Sequence, residues 1–240
     1  MTNINAQMET NVLTGNIEMI AFNEKALQES LKPVAAVSTY RKKPVYDAVK
    51  RVFDIFFSVL ALTVLSPLML AVMIMIMLDD FGSPVYTQDR VGKDGKIFKI
   101  YKFRSMYKKA DKKRDELLDR DESNGANFKI KDDPRITRIG HFIRKTSIDE
   151  LPQLVNILKG EMSIIGPRPF IPREQERLPE DRLLVNPGLS CYWQVGGKNS
   201  LTKEEQIELD RRYIRERSIA VDIKIIIKTI LFVLKPGNNY

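Results

Sequence analysis

The sequence predicts a predominantly helical α+β protein that is attached to a membrane. Three observations support this fold class. A 27-residue apolar run with one charged residue lies near the N-terminus, one strand–turn–strand pattern follows it, and much of the remaining chain has apolar residues at helical spacing. The 240 residues suffice for one ordinary domain with a membrane element added to it.

Composition limits the classes of protein and of site. With 43% hydrophobic and 29% charged residues, the chain is neither low-complexity nor wholly disordered. One cysteine, Cys191, excludes a disulfide framework and a cysteine zinc cluster, and one histidine, His141, argues against a His-ligated metal. The net charge of +8 favours anionic partners, namely nucleic acid, anionic lipid or phosphorylated small molecules.

The chain divides into three parts. Residues 1–45 form a polar arm whose first ten residues lack the basic and apolar regions of a secretory signal peptide. Residues 46–80 contain the apolar run, and residues 81–240 have the mixed composition of a folded domain. Basic residues gather where the arm meets the run, at Arg41, Lys42, Lys43, Lys50 and Arg51.

The apolar run extends from Val52 to Leu78, and Asp54 is its only charge. About 20 apolar residues suffice to cross a bilayer, although a central helix of a globular protein is the alternative. Ser66 and Pro67 lie near its middle, where proline interrupts the helical hydrogen bonds and serine can bind a freed carbonyl. A kinked helix would cross the membrane, whereas a helix that turns back would keep both flanks on one face. The flanking charges slightly favour crossing.

A β-hairpin is predicted next, with strands over Val85–Thr87 and Lys96–Phe103 joined by the turn Gly92–Gly95. Lys102 and Arg104 are two residues apart, so they would share one face of the second strand. Such a pair of cations either binds an anion or only guards the exposed edge of a sheet.

Four further segments are assigned from their patterns. The highly charged segment 108–122 predicts a solvated helix or a loop, and Leu201–Arg217 predicts an exposed helix. The segment 218–234 suits a helix in the membrane interface, since its lysines can reach lipid phosphates, with a buried strand as the alternative. Ser147–Leu158 predicts a short amphipathic helix with one apolar side formed by Leu151, Leu154, Val155 and Leu158.

The adjacent carboxylates Asp149 and Glu150 open the helix predicted at Ser147–Leu158. The simplest role of Asp149 is a helix N-cap, which places Pro152 where its missing N–H costs nothing. The same geometry would hold a carboxylate and a phosphate at the positive end of a helix, where an aspartate beside a metal-binding glutamate can attack phosphorus. The local sequence favours the N-cap.

Two further segments could bind an anion. Arg168 stands between two prolines in GPRP, which restrict its backbone, and a guanidinium binds phosphate oxygens through two hydrogen bonds. A rigid turn with an exposed arginine is the equally simple alternative. The segment PGLSCYWQVGGKN places Lys198 beside two glycines that allow a ligand close to the backbone, but alone it predicts only a loop.

The order of these motifs is more informative than any one of them. KRVFD precedes an apolar run with a central Ser-Pro, a hairpin containing YTQ leads to YKFRSM, and SIDELPQL, MSIIGPRP and WQV-GG follow. This order closely resembles the bacterial sugar transferases, and within them the monotopic phosphoglycosyl transferases. The resemblance covers roughly residues 46–240.

The resemblance implies a short form of an undecaprenyl-phosphate sugar phosphotransferase. Asp149 would attack the β-phosphorus of a UDP-sugar, release UMP and carry a covalent phosphosugar, which a polyprenyl phosphate would then accept. Mg²⁺ would be bound at Asp149 and Glu150. The other residues expected beside the substrates are Lys102, Arg104, Arg168, Lys198 and Asp222.

The resemblance also implies a monotopic protein with a re-entrant helix, broken at Ser66–Pro67, and an interfacial C-terminal helix. The catalytic domain would lie on the cytoplasmic face of the bacterial inner membrane, where two like-charged substrates meet and cations offset their repulsion. The expected role is the first membrane step of surface glycan assembly, such as exopolysaccharide, lipopolysaccharide or capsule, and a homodimer is left open.

The sequence departs from the family's usual pattern at two places, and two rival functions are also considered. Relatives usually carry Thr-Gly-Trp at Ser190–Tyr192 and Arg at Lys198, and the loss of a guanidinium removes bidentate binding. KFRSM and DELPQL favour glucose or galactose as the sugar. One rival is a non-catalytic membrane-surface protein that binds anionic lipid. The other is a nucleic-acid binder, which no motif supports and the apolar run opposes.

Overall fold

In a computed structural model of the chain, the described residues are 40–108, 110, 130, 133–196 and 201–234. They form seven α-helices and four strands, which confirms the predominantly helical α+β class. In chain order the elements are α1 (Pro44–Asp79), β1 (Val85–Val91), β2 (Ile97–Phe103), α2 (Arg138–Lys145), α3 (Gln153–Lys159), β3 (Ser163–Ile165), α4 (Pro172–Gln175), β4 (Gly188–Ser190), α5 (Tyr192–Gly196), α6 (Lys203–Glu216) and α7 (Ile219–Leu234). Most of the charged segment 108–122 lies outside the described residues.

The apolar run forms α1, a 36-residue helix that begins with Pro44. Proline at the first helical position costs no hydrogen bond, because that N–H has no partner within a helix. α1 is long and apolar enough to cross a membrane, and only 11% of its most apolar 18-residue window is buried. A central helix of a globular protein would bury most of that surface, so the structure argues against this alternative.

Ser66 and Pro67 do not divide α1 into two helices, since the helix is continuous through both residues. Pro67 cannot donate to the carbonyl oxygen of Thr63, four residues earlier. The Ser66 hydroxyl donates to that oxygen instead, at 2.8 Å. The serine hydroxyl thus binds the carbonyl that proline leaves without a donor, as the sequence predicted, but the helix is not broken there.

The β-hairpin is confirmed; β1 extends beyond the predicted Val85–Thr87, and β2 begins one residue later than predicted. β1 pairs antiparallel with β2, with Val85 opposite Phe103 and Val91 opposite Ile97. Lys93–Gly95 forms a 3₁₀ turn in which Asp94 and Gly95 have φ of 56° and 75°. Aspartate and glycine tolerate this left-handed region, which explains why the dipeptide marks the turn.

The helix predicted at Ser147–Leu158 is two elements. Ile148–Glu150 is a 3₁₀ turn, and α3 begins only at Gln153 with Pro152 as its N-cap. The assignment of Asp149 as an N-cap is therefore wrong. The apolar side is also partly different, because Val155 is exposed while Asn156 and Ile157 are buried.

The hydrophobic core joins α1, the hairpin and the segments around α3. One cluster contains Phe98, Ile100, Leu154, Ile157 and Met162. The next contains Val72, Ile76, Phe103 and Ile143, so the second half of α1 packs on the end of β2 and on α2. β3 and β4 pair in parallel; β3 leads into the loop that carries GPRP, and β4 leads into α5, which carries Trp193.

The last two helices confirm their predicted positions. α6 begins after Thr202, whose side chain forms a capping box with Glu205. The helix α7 is confirmed and the strand alternative is wrong. α7 buries Ile225 and exposes an apolar row formed by Ile223, Ile227, Ile230 and Leu231.

Candidate active site

Four of the predicted site residues lie together. Lys102 Nζ, at the end of β2, is 2.8 Å from Glu150 Oε1 and 4.0 Å from Asp149 Oδ2. Arg168 Nη1 is 3.8 Å from the same Glu150 oxygen. Their side chains are between 13% and 26% exposed, which leaves the group open to a ligand. We call these four residues the charged site.

The two carboxylates are presented by a tight connection between α2 and α3. Ser147 has φ of 56°, in the left-handed region, and the 3₁₀ turn of Ile148–Glu150 follows directly. Ile148 and Leu151 pack on the core cluster that includes α1, so they anchor the turn from below. Asp149 and Glu150 are therefore fixed beside Lys102 by packing rather than by helix capping.

The loop of Arg168 is held by close backbone contact. Gly166 approaches the chain before β4 so closely that a Cβ on it would lie 2.4 Å from the carbonyl oxygen of Asn186. The Arg168 guanidinium lies 6.0 Å from the ring centre of Trp193, which lies in α5 just after β4. The segment predicted as a plain loop thus provides β4, α5 and an aromatic neighbour for Arg168.

Two arginines that sequence reasoning missed also hold this loop. Arg182 Nη2 donates to the carbonyl oxygen of Arg168 at 2.9 Å, and Arg182 Nε donates to Asp210 at 2.8 Å. Arg90 Nη1 donates to the carbonyl oxygen of Pro169 at 3.3 Å. Arg90 follows YTQ in the hairpin motif, so a signal for it existed, whereas Arg182 lies in no motif. Burial, together with the positive charge of Arg168, lowers the pKa of Arg90 to about 10.

Arg104 does not join the charged site. β2 ends at Phe103, so the alternation of side chains does not continue, and Arg104 turns to the end of α1. It donates to the carbonyl oxygen of Asp80 and lies 3.6 Å from the carboxylate of the same residue. Lys198, the remaining cation predicted for the site, falls outside the described residues.

Asp222 belongs to a different cluster. Its Oδ2 is 2.9 Å from Lys50 Nζ and accepts from the hydroxyl of Tyr46 at 2.8 Å, and its Oδ1 is 2.9 Å from the hydroxyl of Tyr213. That hydroxyl is also 3.0 Å from the carbonyl oxygen of Ile165, one residue before GPRP. The structure therefore places Asp222 under the loop of Arg168, where it joins α7 to α1, and not among the charged-site residues.

Known proteins with similar sequences show the family of this chain. The family described as bacterial sugar transferase matches residues 45–236. The chain is 44% identical over 198 residues to the UDP-galactose-lipid carrier transferase of Erwinia amylovora. It is 42% identical over 198 residues to the undecaprenyl-phosphate galactose phosphotransferase of Salmonella typhimurium. The chain belongs to the bacterial sugar transferase family.

The matches differ in how much of each relative they cover. Both galactose-related proteins are matched over 80% of this chain but 41% of their own length, so the chain spans about two fifths of these relatives. The exopolysaccharide production protein ExoY of Sinorhizobium fredii is 39% identical over 208 residues, which are 82% of this chain and 91% of that protein. The resemblance drawn from the motifs is confirmed.

The carboxylate pair of this bacterial sugar transferase fits a shared Mg²⁺ site. Among the described residues, no group of three or more His, Cys, Asp or Glu side chains could hold a metal ion. Mg²⁺ needs only one or two carboxylates when it also binds phosphate oxygens of a substrate. Asp149 and Glu150 supply such a pair, so these residues could hold Mg²⁺ together with a phosphorylated ligand.

The charges of the site suit phosphoryl chemistry. Two carboxylates lie within ion-pair distance of one ammonium and one guanidinium, and Arg90 of β1 donates to the loop that carries this guanidinium. Phosphate oxygens are bound by such cations, while a carboxylate beside them can act as nucleophile. The arrangement can hold a phosphate group against Asp149.

Proposed function

We propose that this chain transfers a sugar-1-phosphate from a UDP-sugar to a polyprenyl phosphate such as undecaprenyl phosphate. The observation that supports this most directly is the charged site, in which Lys102 lies 4.0 Å from Asp149 and Arg168 lies 3.8 Å from Glu150. The relatives support the same chemistry, since one is named for UDP-galactose and a lipid carrier and another for undecaprenyl phosphate.

The proposed reaction has two displacements at one phosphorus. In the first, an oxygen of Asp149 attacks the β-phosphorus of the UDP-sugar, the bond to the bridging oxygen breaks, and its electron pair leaves with UMP. In the second, a phosphate oxygen of the polyprenyl phosphate attacks the same phosphorus and releases Asp149. Lys102 and Arg168 offset the negative charge of the phosphates that meet there. When bound by Asp149 and Glu150, Mg²⁺ supplies further neutralisation of that charge.

We also propose that α1 is re-entrant, entering and leaving the membrane on one face with a bend at Pro67 that does not interrupt the helix. Arg51, near the start of the helix, donates to carbonyl oxygens at the end of α3, and the Asp79 carboxylate accepts from the backbone N–H of Ile139 in α2 at 3.2 Å. One domain is thus bonded to α1 near both ends. A helix that crosses the hydrocarbon core, about 30 Å thick, would put those ends on opposite sides. The domain would then lie on the cytoplasmic face of the bacterial inner membrane, with the apolar row of α7 in the interface.

The sugar and the pathway extend this proposal. Glucose and galactose are the sugars that the motifs favour, and two relatives are named for galactose. A third is named for exopolysaccharide production, which suits the first membrane step of surface glycan assembly. A panel of UDP-sugars tested for UMP release identifies the donor.

The test of the proposal is the variant Asp149→Asn in the full chain, purified in detergent with Mg²⁺ and polyprenyl phosphate. We expect UMP release to disappear while membrane association persists, and a phosphosugar adduct to be found on the peptide that contains Asp149 in the unsubstituted chain. The matched control is Asp94→Asn, because Asp94 is exposed, has the same charge and adopts a left-handed conformation that asparagine tolerates. Normal turnover by Asp149→Asn, or an adduct on another peptide, would overturn the mechanism. No UMP release by the unsubstituted chain with any UDP-sugar would instead favour the non-catalytic lipid-binding protein.

A further inference from the structure

A row of polar side chains follows one face of the hairpin towards the loop of Arg168. In an antiparallel pair, residues directly opposite each other have side chains on the same face, and residues two apart share that face. Lys102 is opposite Tyr86, Ile100 is opposite Gln88, and Phe98 is opposite Arg90. Lys102 and Arg90 therefore lie on one face, which packs on α3 through Phe98 and Ile100.

The Arg90 guanidinium is fixed in place but has donor capacity left. Its Nη2 donates to Gln88 Oε1 at 2.7 Å and its Nη1 donates to the carbonyl oxygen of Pro169 at 3.3 Å. The backbone N–H of the next residue, Val91, donates to the carbonyl oxygen of Phe170 at 2.9 Å. Arg90 Nε is buried and has no acceptor among the described residues. A buried donor of a charged group without a partner costs free energy, which an anionic ligand would recover.

Arg90 also stands close to a like charge. It is bonded to Pro169, the residue after Arg168, so two guanidinium groups are brought to one short loop. No carboxylate is within ion-pair distance of Arg90 in the described part of the chain, whereas Arg168 lies 3.8 Å from Glu150. A guanidinium binds phosphate oxygens through paired hydrogen bonds, so two such groups at one loop can each bind a phosphate group.

We propose that Arg90 binds the nucleotide's own phosphate, the α-phosphate that leaves as UMP, while Lys102 and Arg168 bind the phosphate that carries the sugar. This assignment rests on the proposed function. When the bond between the β-phosphorus and the bridging oxygen breaks, its electron pair stays on the nucleotide's phosphate. Negative charge therefore increases at that phosphate, and a fixed guanidinium there stabilises the leaving group.

The test uses UMP alone as the probe, because UMP carries only the phosphate that Arg90 is expected to bind. Its affinity for the full chain in detergent is measured by isothermal titration calorimetry for the unsubstituted chain, Arg90→Gln and Arg90→Lys. A charge-assisted hydrogen bond that is lost from the site predicts an affinity about tenfold or more weaker for Arg90→Gln, with partial recovery in Arg90→Lys. Arg173→Gln is the matched control, because Arg173 is exposed in α4 and has the same charge.

A second set of variants separates direct binding from the positioning of Arg168. If Arg90 acted only through the carbonyl oxygen of Pro169, its substitution would have no effect once Arg168→Gln is present. We expect Arg90→Gln to weaken UMP binding by the same factor with Arg168 present or replaced. An unchanged affinity in Arg90→Gln, or an effect that vanishes beside Arg168→Gln, overturns the assignment. An unsubstituted chain that binds no UMP, with or without Mg²⁺, instead overturns the proposed function itself.

Discussion

Arg51 is expected to hold α3, which follows the turn of Asp149 and Glu150, to α1. Its Nη1 donates to the carbonyl oxygen of Ile157 at 2.5 Å and its Nη2 donates to that of Leu158 at 2.7 Å. These carbonyls belong to the last turn of α3, where helical partners are missing and a positive charge is favourable. Replacing Arg51 by Gln removes both hydrogen bonds and the charge.

The magnitude follows from these two bonds. A hydrogen bond to a charged group contributes about 1.5–3 kcal/mol. Because Arg51 is half-buried, we take the lower value for each bond, which gives a loss of about 3 kcal/mol for Arg51→Gln. For a chain of this size, a loss of 1 kcal/mol lowers the melting temperature by about 2–4 °C, so a decrease of about 6–12 °C is expected.

The assay is thermal unfolding in detergent, followed through the fluorescence of the buried Trp193, together with UMP release. Lys42→Gln is the control, because Lys42 is exposed and its loss removes the same charge from the same end of α1. We expect Arg51→Gln to lose stability and turnover, Arg51→Lys to recover part of the stability, and Lys42→Gln to lose neither. Equal effects of Arg51→Gln and Lys42→Gln would show that Arg51 acts only as flanking charge and would refute the reasoning.

Three further predictions follow from particular contacts. Ser66→Ala should lower the free energy of unfolding by about 0.5–1 kcal/mol, since it leaves the Thr63 carbonyl without its hydroxyl donor, and an unchanged melting curve would contradict this. Burial raises the pKa of Asp133, but hydrogen bonds from Arg135 outweigh it and keep the pKa below the ordinary 3.8. Its stabilisation is therefore present above pH 3.8 and lost as the pH falls further, and Asp133→Asn should flatten that acid limb in chemical denaturation curves. Burial raises the pKa of the Cys191 thiol, so thiol reagents should label it only after unfolding.

Because the buried Cys191 is not expected to react in the folded protein, cysteines introduced elsewhere can report the proposed membrane topology. Arg41→Cys and Phe81→Cys would each introduce one exposed thiol, just before and just after α1. A re-entrant helix predicts that both are labelled from the same side of sealed vesicles. Labelling from opposite sides would show that α1 crosses the membrane.

Elements with local signals could be predicted from the sequence. The hairpin depends on a dipeptide, Asp94-Gly95, whose backbone preference is intrinsic, and α6 begins with a capping box written in four consecutive residues. The apolar run predicts α1 from composition alone. In each case the residues that determine the element lie within it.

Elements that depend on tertiary packing were predicted poorly. The helix α2 was not predicted, although Thr137 caps its start by accepting from the backbone N–H of Gly140; Ile143 packs the helix against α1. Asp149 fitted an N-cap, but the left-handed Ser147 and the packing of Ile148 produce a 3₁₀ turn instead. At the turn of Ile148–Glu150, tertiary packing therefore outweighs the helical propensity of the segment.

The charged site was predicted by the order of the motifs and not by any one of them. Lys102 and Glu150 are 48 residues apart, and their contact depends on β2 packing against α3. Arg182 could not be found from the sequence, because its role arises from contact with a loop 14 residues away and with Asp210 in α6. Arg104 was misplaced because the strand ends one residue before it.

The charged residues of KRVFD are used to bind the domain. Lys50 pairs with Asp222 in α7, Arg51 binds the end of α3, and Asp54 accepts from the backbone N–H of Ile164 in β3 at 3.1 Å. Residues 50, 51 and 54 project within about 100° of one another around a helix. The intervening Val52 and Phe53 are 66% and 41% exposed, so part of their apolar surface is not covered by the domain.

This use of charge changes the argument about membrane orientation. In the sequence, five basic residues precede the apolar run and three follow it, a difference that favours a helix that crosses the membrane. In the folded protein, Lys43 donates to backbone carbonyls at the end of α6, and Lys50 and Arg51 are bonded to α7 and α3. After α1, Arg90 is bonded to the loop of Arg168. Two exposed cations then remain on each side: Arg41 and Lys42 before α1, and Lys93 and Lys96 after it. The exposed cations of the folded chain are therefore equal in number on the two flanks, so the cations available to lipid headgroups do not favour opposite sides of the membrane.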